Sequence, residues 1–220
     1  MKGIIFDFNG TMVFDGHLHE KAWVDMITKH NDTVTVEEII EYIHGRTNDT
    51  IIKHFMGEVG AEELQELAEE KELEYQRLVR EEHIDYVKGT KELLDKLVEK
   101  EIPFTIATAS PEINVDFYFD YFGLGRWFDR EKIVFDDGTF PGKSDPSIYK
   151  IAAESLGLEA TDCVVIEDAV SGIQSANRAN IGKVFVMVNS KKQKEYYENS
   201  DLEIEAIIDN FHNFLDRAIG

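Results

Sequence analysis

From Lys88 onward the chain alternates short apolar runs with amphipathic stretches, and this rhythm restricts the fold more than any other feature. Strands at Ile102–Thr108, Lys132–Phe135, Cys163–Ile166 and Lys183–Val188 are expected. The helical patterns between them run from Thr90 to Lys100, Pro111 to Tyr121, Pro146 to Leu156 and Ala169 to Ala179. Thr90 is the expected cap of the first helix, with Leu93, Leu94, Leu97 and Val98 inward, while Ser110 and Pro111 open the second. The tail from Glu203 to Ala218 reads as largely helical. Alternation of this kind predicts an α/β fold with a Rossmann-like, doubly wound, mostly parallel sheet.

One further strand stands apart. Gly3–Phe6 is a buried apolar run that ends at Asp7, and Asn9-Gly10-Thr11 supplies turn chemistry after it. Between that strand and the rest lies a block with helical periodicity only. Ala22, Trp23, Met26 and Ile27 share one face, as do Ile39, Ile40 and Ile43. A long helix from Ala61 to Glu82 turns Leu64, Leu67, Leu78 and Val79 inward, and its acidic run Glu62–Glu74 reads as a solvated face. The expected division is a catalytic core of residues 1–13 and 86–220 carrying an inserted all-helical cap of residues 14–85.

Asp plus Glu number 44 against 23 Lys plus Arg, a formal charge of −21, which argues against a nucleic-acid partner. An anionic ligand must then be held by a few local cations, by backbone N–H groups or by a metal. The single cysteine, Cys163, excludes an internal disulfide framework and fits a reducing compartment. With no membrane-length apolar run and an opening too short for a signal peptide, a cytoplasmic protein without a membrane partner is expected.

In an open α/β sheet, ligands sit beyond the carboxyl ends of the strands. Those ends carry Asp7, Thr108 and the pair Glu167-Asp168, with Lys143 on a loop. Three carboxylates, a hydroxyl and a lysine suit Mg²⁺ plus a phosphate, because hard oxygen ligands match that ion and clustered carboxylates repel without a cation.

The chain at this point resembles the haloacid dehalogenase-like hydrolases. Their first motif, Asp-x-Asp-x-Thr, stands here as Asp7-Phe8-Asn9-Gly10-Thr11. The second, a strand-ending Ser or Thr, is matched by Thr108 in Ile106-Ala107-Thr108-Ala109-Ser110. The third, a Lys before a helix, is matched by Lys143 in Gly142-Lys143-Ser144-Asp145-Pro146, and the acidic fourth by Glu167-Asp168. All four occur in order, and the resemblance spans nearly the whole chain. It implies that Asp7 attacks phosphorus and forms an aspartyl-phosphate. It also implies that Mg²⁺ binds the Asp7 carboxylate, the carbonyl of Asn9 and Asp168, with Glu167 close by. Thr108, Ala109 and Lys143 would hold the phosphoryl oxygens, and a small phosphorylated metabolite would be the substrate. The insert is similar to the helical cap of the β-phosphoglucomutase-like branch, whose members are often monomers; a monomer is expected here by that analogy.

The pattern breaks at Asn9, where the family carries the Asp that protonates the leaving oxygen and then activates water. Four readings stay open: an introduced substitution, a substrate whose leaving group needs little protonation, a different proton-carrying residue, or a protein that binds without turnover. Asp15, His17 and His19 are candidates for the third, set against a plain turn and helix-start surface residues. In the cap loop His44-Gly45-Arg46-Thr47-Asn48-Asp49, Asn48 takes the place of the arginine by which mutases grip a second phosphate. Arg46 is a neighbouring substitute or a solvent-facing residue, and Lys71 reads as a surface ion pair. Phosphatase is therefore favoured over phosphosugar mutase.

Overall fold

A computed structural model describes residues 2–43, 46–138 and 145–219. It separates into two compact units, Met1–Phe14 with Asp85–Gly220, and Asp15–Ile84.

The first unit holds a six-stranded sheet in the order β3-β2-β1-β4-β5-β6, parallel throughout. Its strands are β1 (Gly3–Phe6), β2 (Phe104–Pro111), β3 (Val134–Asp136), β4 (Cys163–Glu167), β5 (Lys183–Met187) and β6 (Ala206–Ile208). Every residue of β1 and β4 is buried, as expected of strands covered on both faces. Ile5, Val165, Val184 and Val186 share a core cluster with Ile148, Ala152, Ile173 and Ala176 from the helices. Phe6 makes edge contacts with the rings of Phe128 and Phe211. Each such side chain contributes about 1.5–3 kcal/mol on burial.

Chain order within the sheet decides where a ligand can sit. From β1 the chain steps outward to β2 and β3, then returns to place β4 on the other side of β1 and continues to β5 and β6. The order therefore reverses at β1/β4, the switch point where open α/β sheets bind ligands. Phe6 is in register with Ile106 on one side and with Ile166 on the other. Asp7, one residue further, consequently lies level with the end of β4.

Three details depart from the sequence reading. The tail is not largely helical: Ala206–Ile208 pairs with β5 before the short helix Phe214–Ile219. Its three residues are too few for a period to show. Thr90 does not cap its helix, Thr90–Glu99; Gly89 holds that position with φ +85°, and the buried Thr90 hydroxyl donates to the Val87 carbonyl at 2.7 Å. Val98 on the same helix is about half exposed.

The second unit is helical: α1 (Gly16–His30), α2 (Val36–Ile43), α3 (Asn48–Met56) and α4 (Ala61–Glu81). Trp23, Met26 and Ile27 of α1 pack with Ile39 and Ile43 of α2, Ile51, Ile52 and Phe55 of α3, and Leu67 of α4. Among the described residues of both units, no helix is long and apolar enough to cross a membrane.

Candidate active site

β1 and β4 each end in acid. One carboxylate oxygen from each of Asp7, Glu167 and Asp168 lies within 4.8 Å of the other two, and Asp7 and Glu167 are buried. The backbone fixes Asp7 by donating its N–H to the Ile166 carbonyl at 3.0 Å. Glu167 is held at both of its oxygens. Its Oε1 accepts from the Tyr149 hydroxyl at 2.8 Å, and its Oε2 accepts from the N–H groups of Asp168 and Ala169, both at 2.8 Å.

Two glycines make room for these carboxylates. A Cβ on Gly172 would lie 1.8 Å from Glu167 Oε1, and one on Gly10 would lie 2.1 Å from Asp168 Oδ2. Gly10 also has φ +76°, a conformation that side chains disfavour. Tyr149 and Tyr197 close the back of the cluster. The Tyr197 hydroxyl donates to the Asp168 carbonyl at 2.5 Å. Burial, followed by the charge of Glu167, holds the Tyr149 phenol well above its usual range, so it stays a donor. Burial and the charge of Asp168 do the same to Tyr197. Neither tyrosine announces itself in sequence, since both sit on ordinary helical faces.

A cation fits this arrangement. Three clustered carboxylates, two of them buried, repel one another unless a positive charge lies between them. Glu167 accepts three hydrogen bonds, and Asp7 and Asp168 lie beside it with carboxylate oxygens within reach of the same ion. An all-oxygen donor set of this kind suits a hard divalent ion such as Mg²⁺.

The second cluster surrounds Asn9. Ser110 Oγ donates to Asn9 Oδ1 at 2.7 Å, and the Tyr118 hydroxyl lies 3.2 Å from the same oxygen. Asn9 Nδ2 donates to the Tyr118 oxygen at 2.9 Å, and Ser110 and Tyr118 meet at 3.0 Å. Thr108 Oγ1 in turn donates to Ser110 Oγ at 3.2 Å and accepts from the Ser110 N–H at 3.1 Å. Ser110 thus binds Asn9 and Thr108, where the sequence offered it a helix-capping role as well. Stacking of Phe8 on Tyr118, at 4.1 Å between centroids, steadies the phenol. Ala109 is exposed beside Thr108, and Thr11 Oγ1 is buried with no hydrogen-bond partner among the described residues. Lys143, His44 and Gly45 lie outside the described residues.

The helical unit carries its own buried polar cluster. Asp15 is no open turn residue: it is fully buried and accepts from the Tyr75 hydroxyl at 2.5 Å. His19 stacks on the Tyr75 ring at 3.8 Å, with Nε2 3.6 Å from Asp15 Oδ2. Lys71 is not a surface ion pair. Only 4% of its side chain is exposed, and Nζ reaches both Glu72 oxygens and His19 Nδ1, each at 3.0 Å. Asn48 donates to Glu72 Oε1 at 2.9 Å. Burial would raise the Glu72 carboxyl, but Lys71, His19 and Asn48 outweigh it and hold it below its usual range. Glu72 therefore breaks the solvated acidic face expected of α4; its acidic neighbours gave no sign of it. His17 is exposed and pairs with Glu82 at 3.0 Å. Arg46 is exposed, donates to the Tyr42 carbonyl at 2.5 Å and lies 4.0 Å over the Tyr42 ring.

Known proteins share this architecture. Residues 1–180 match the family described as haloacid dehalogenase-like hydrolase. Hexitol phosphatase A of Escherichia coli is 30% identical over 94% of this chain and 91% of its own length. The β-phosphoglucomutase of Bacillus subtilis is 29% identical over 84% of this chain and 83% of its own. A solved family IA, variant 3 hydrolase of Entamoeba histolytica superposes with a TM-score of 0.88 at 33% identity, covering 100% of both chains. With the sheet order, the acidic switch point and these matches together, the chain belongs to the haloacid dehalogenase-like hydrolases.

Proposed function

We propose that this chain is a magnesium-dependent phosphohydrolase that acts on a small phosphate monoester or sugar phosphate, with Asp7 as nucleophile. The observation that carries the reading is the meeting of Asp7, Glu167 and Asp168 at the sheet's switch point, with Glu167 locked by Tyr149 and two backbone N–H groups.

Asp7 and Asp168, with the Asn9 carbonyl, would hold the ion, and Glu167 would orient the set from behind. When bound, Mg²⁺ offsets the local negative field and draws charge from the phosphoryl oxygens. The Asp7 carboxylate attacks phosphorus in line and displaces the substrate's oxygen, giving an aspartyl-phosphate that water then hydrolyses. Thr108, buried within β2, would bind a phosphoryl oxygen together with Lys143 and the Ala109 N–H. The Asn9 amide cannot protonate the leaving oxygen or deprotonate water. Substrates whose leaving groups need little protonation, such as acyl phosphates, are therefore the ones this form handles best.

Phosphatase is favoured over mutase by the helical unit's own charges. A mutase must grip a second phosphate, which needs a cation held for that task. Lys71 is matched by the buried Glu72, and Arg46 lies over the Tyr42 ring and donates to the Tyr42 carbonyl. The similarity to hexitol phosphatase A points the same way and nominates hexitol phosphates as first substrates.

The test is Mg²⁺-dependent phosphate release from acetyl phosphate, p-nitrophenyl phosphate and a panel of hexitol and sugar phosphates, for this chain and for Asn9→Asp. Restoring the carboxylate is expected to raise monoester turnover by about 10²–10⁴-fold, and to raise acetyl phosphate turnover through the second step alone, hydrolysis of the aspartyl-phosphate. No hydrolysis of any of them by either protein removes the proposal.

A further inference from the structure

The surroundings of residue 9 would accept a carboxylate as well as the amide they hold. Hydroxyl donors run toward it in series: Thr108 donates to Ser110, and Ser110 donates to Asn9 Oδ1 at 2.7 Å. The Tyr118 hydroxyl accepts from Asn9 Nδ2 at 2.9 Å and lies 3.2 Å from Asn9 Oδ1. With a carboxylate at position 9, Ser110 and Tyr118 would both donate to it, so the same pocket accommodates either side chain.

The chain also carries the means of making that carboxylate. Asn9 is followed by Gly10, and an asparagine before glycine is the sequence most open to deamidation, because no side chain hinders the next backbone nitrogen. That glycine cannot be exchanged for another residue: its φ is +76°, and a Cβ would strike Asp168. The same two hydroxyls that contact Asn9 Oδ1 polarise its carbonyl, as donors do at a developing oxyanion. Asn9 is only half-buried, so ammonia can leave and water can enter.

From these observations we propose that Asn9 is a deamidation site and the latent form of the acid–base carboxylate. In the reaction the Gly10 nitrogen attacks Asn9 Cγ, a ring forms, the Cγ–Nδ2 bond breaks and ammonia leaves. Water then opens the ring, supplying a hydroxyl to Cγ and returning the proton to the Gly10 nitrogen; opening on the other side gives the isoaspartyl isomer. No oxidant or reductant is needed. The fold sets a brake on the step: the Gly10 N–H is donated to the Val13 carbonyl at 2.8 Å, so that turn must open before the ring can close. Conversion is consequently slower than in the unfolded chain, and the enzyme matures with age. The functional half of the proposal rests on the phosphohydrolase reading above; the chemical half does not.

The experiment follows the full chain through incubation at pH 8 and 37 °C, with peptide mapping by mass spectrometry and a Mg²⁺-dependent p-nitrophenyl phosphate assay on the same aliquots. The peptide containing residue 9 is expected to become about one mass unit heavier, as amide becomes acid. Activity should climb in proportion to the aspartyl form, toward a rise of about 10²–10⁴-fold at full conversion. Asn9→Gln, which keeps the amide but resists ring closure, should neither gain mass nor activate. Asn9→Asp should be active from the start. An amide that survives incubation while exposed asparagines elsewhere convert overturns the site. Conversion to aspartate without a rise in activity, where Asn9→Asp is active, overturns the switch. If Asn9→Asp is itself inactive, the phosphohydrolase reading fails, and the mass shift alone then decides the site.

Discussion

Replacing Lys71 with Met removes a buried charge while keeping an unbranched apolar stem, and it isolates the helical unit's internal electrostatics. In the intact protein Lys71 Nζ contacts both Glu72 oxygens at 3.0 Å, and each side chain is 4% exposed. Without the ammonium, Glu72 keeps its hydrogen bond from Asn48 but loses its neutralising partner, in a unit that also buries Asp15. Breaking a buried pair from one side costs about 3–5 kcal/mol. For a chain of this size each kcal/mol shifts melting by about 2–4 °C, so the protein should melt about 6–20 °C lower. The sign of the pH effect follows from Glu72. Its carboxyl is now held below the usual range, so the pair stabilises above the unfolded value and that contribution is lost as pH falls through the folded one. In Lys71→Met the largest charge opposing burial is gone, so the same group moves upward and protonation relieves the variant. The gap between the two proteins should be widest at neutral pH and narrow toward pH 4. Thermal melts across that range, with the double variant Lys71→Met/Glu72→Gln recovering most of the loss, provide the measurement. A single-variant loss under about 0.5 kcal/mol, or one independent of pH, would refute the claim that these charges are buried and coupled.

Two further outcomes follow from the core. In Gly172→Ala the new methyl collides with Glu167 Oε1 and unseats a carboxylate held by Tyr149; Mg²⁺ affinity by calorimetry should fall about 10–100-fold, and an unchanged affinity would mean that Glu167 orients nothing. Cys163 is fully buried, and burial followed by the charge of Asp162 pushes its thiol up to about 11; a thiol reagent at pH 8 should label it only after unfolding, and rapid labelling of the native protein would contradict that burial.

The sheet was legible in the sequence because its strands are apolar runs bounded by turn residues, a pattern that burial on both faces enforces. The acidic ends of β1 and β4 were legible for the same reason, since a carboxylate after a buried run stands out. β6 was not, because three residues cannot display a period. The partners of the site were hidden for a different cause. Tyr118, Tyr149 and Tyr197 lie on amphipathic helices, where an aromatic residue normally means packing, and only the fold reveals which hydroxyl reaches Asn9, Glu167 or the Asp168 carbonyl. Lys71 and Glu72 were misread because adjacent opposite charges in an acidic run look solvated. Leu67, Leu78 and Val79 were read correctly on the same helix, so the period of α4 was right, and Lys71, Glu72 and Tyr75 are the buried positions it missed.

Asn9 sets the condition for the most direct test of the central claim, that Asp7 carries the phosphoryl group. With acetyl phosphate, whose leaving group needs little protonation, the first step should proceed while the amide leaves the second without its base. The aspartyl-phosphate should then accumulate. Acid quenching, borohydride reduction and peptide mapping after incubation with Mg²⁺ and acetyl phosphate should convert Asp7, and no other carboxylate, to homoserine. Phosphate release in the same samples with Asp7 unmodified, or the label on a different residue, would contradict the account.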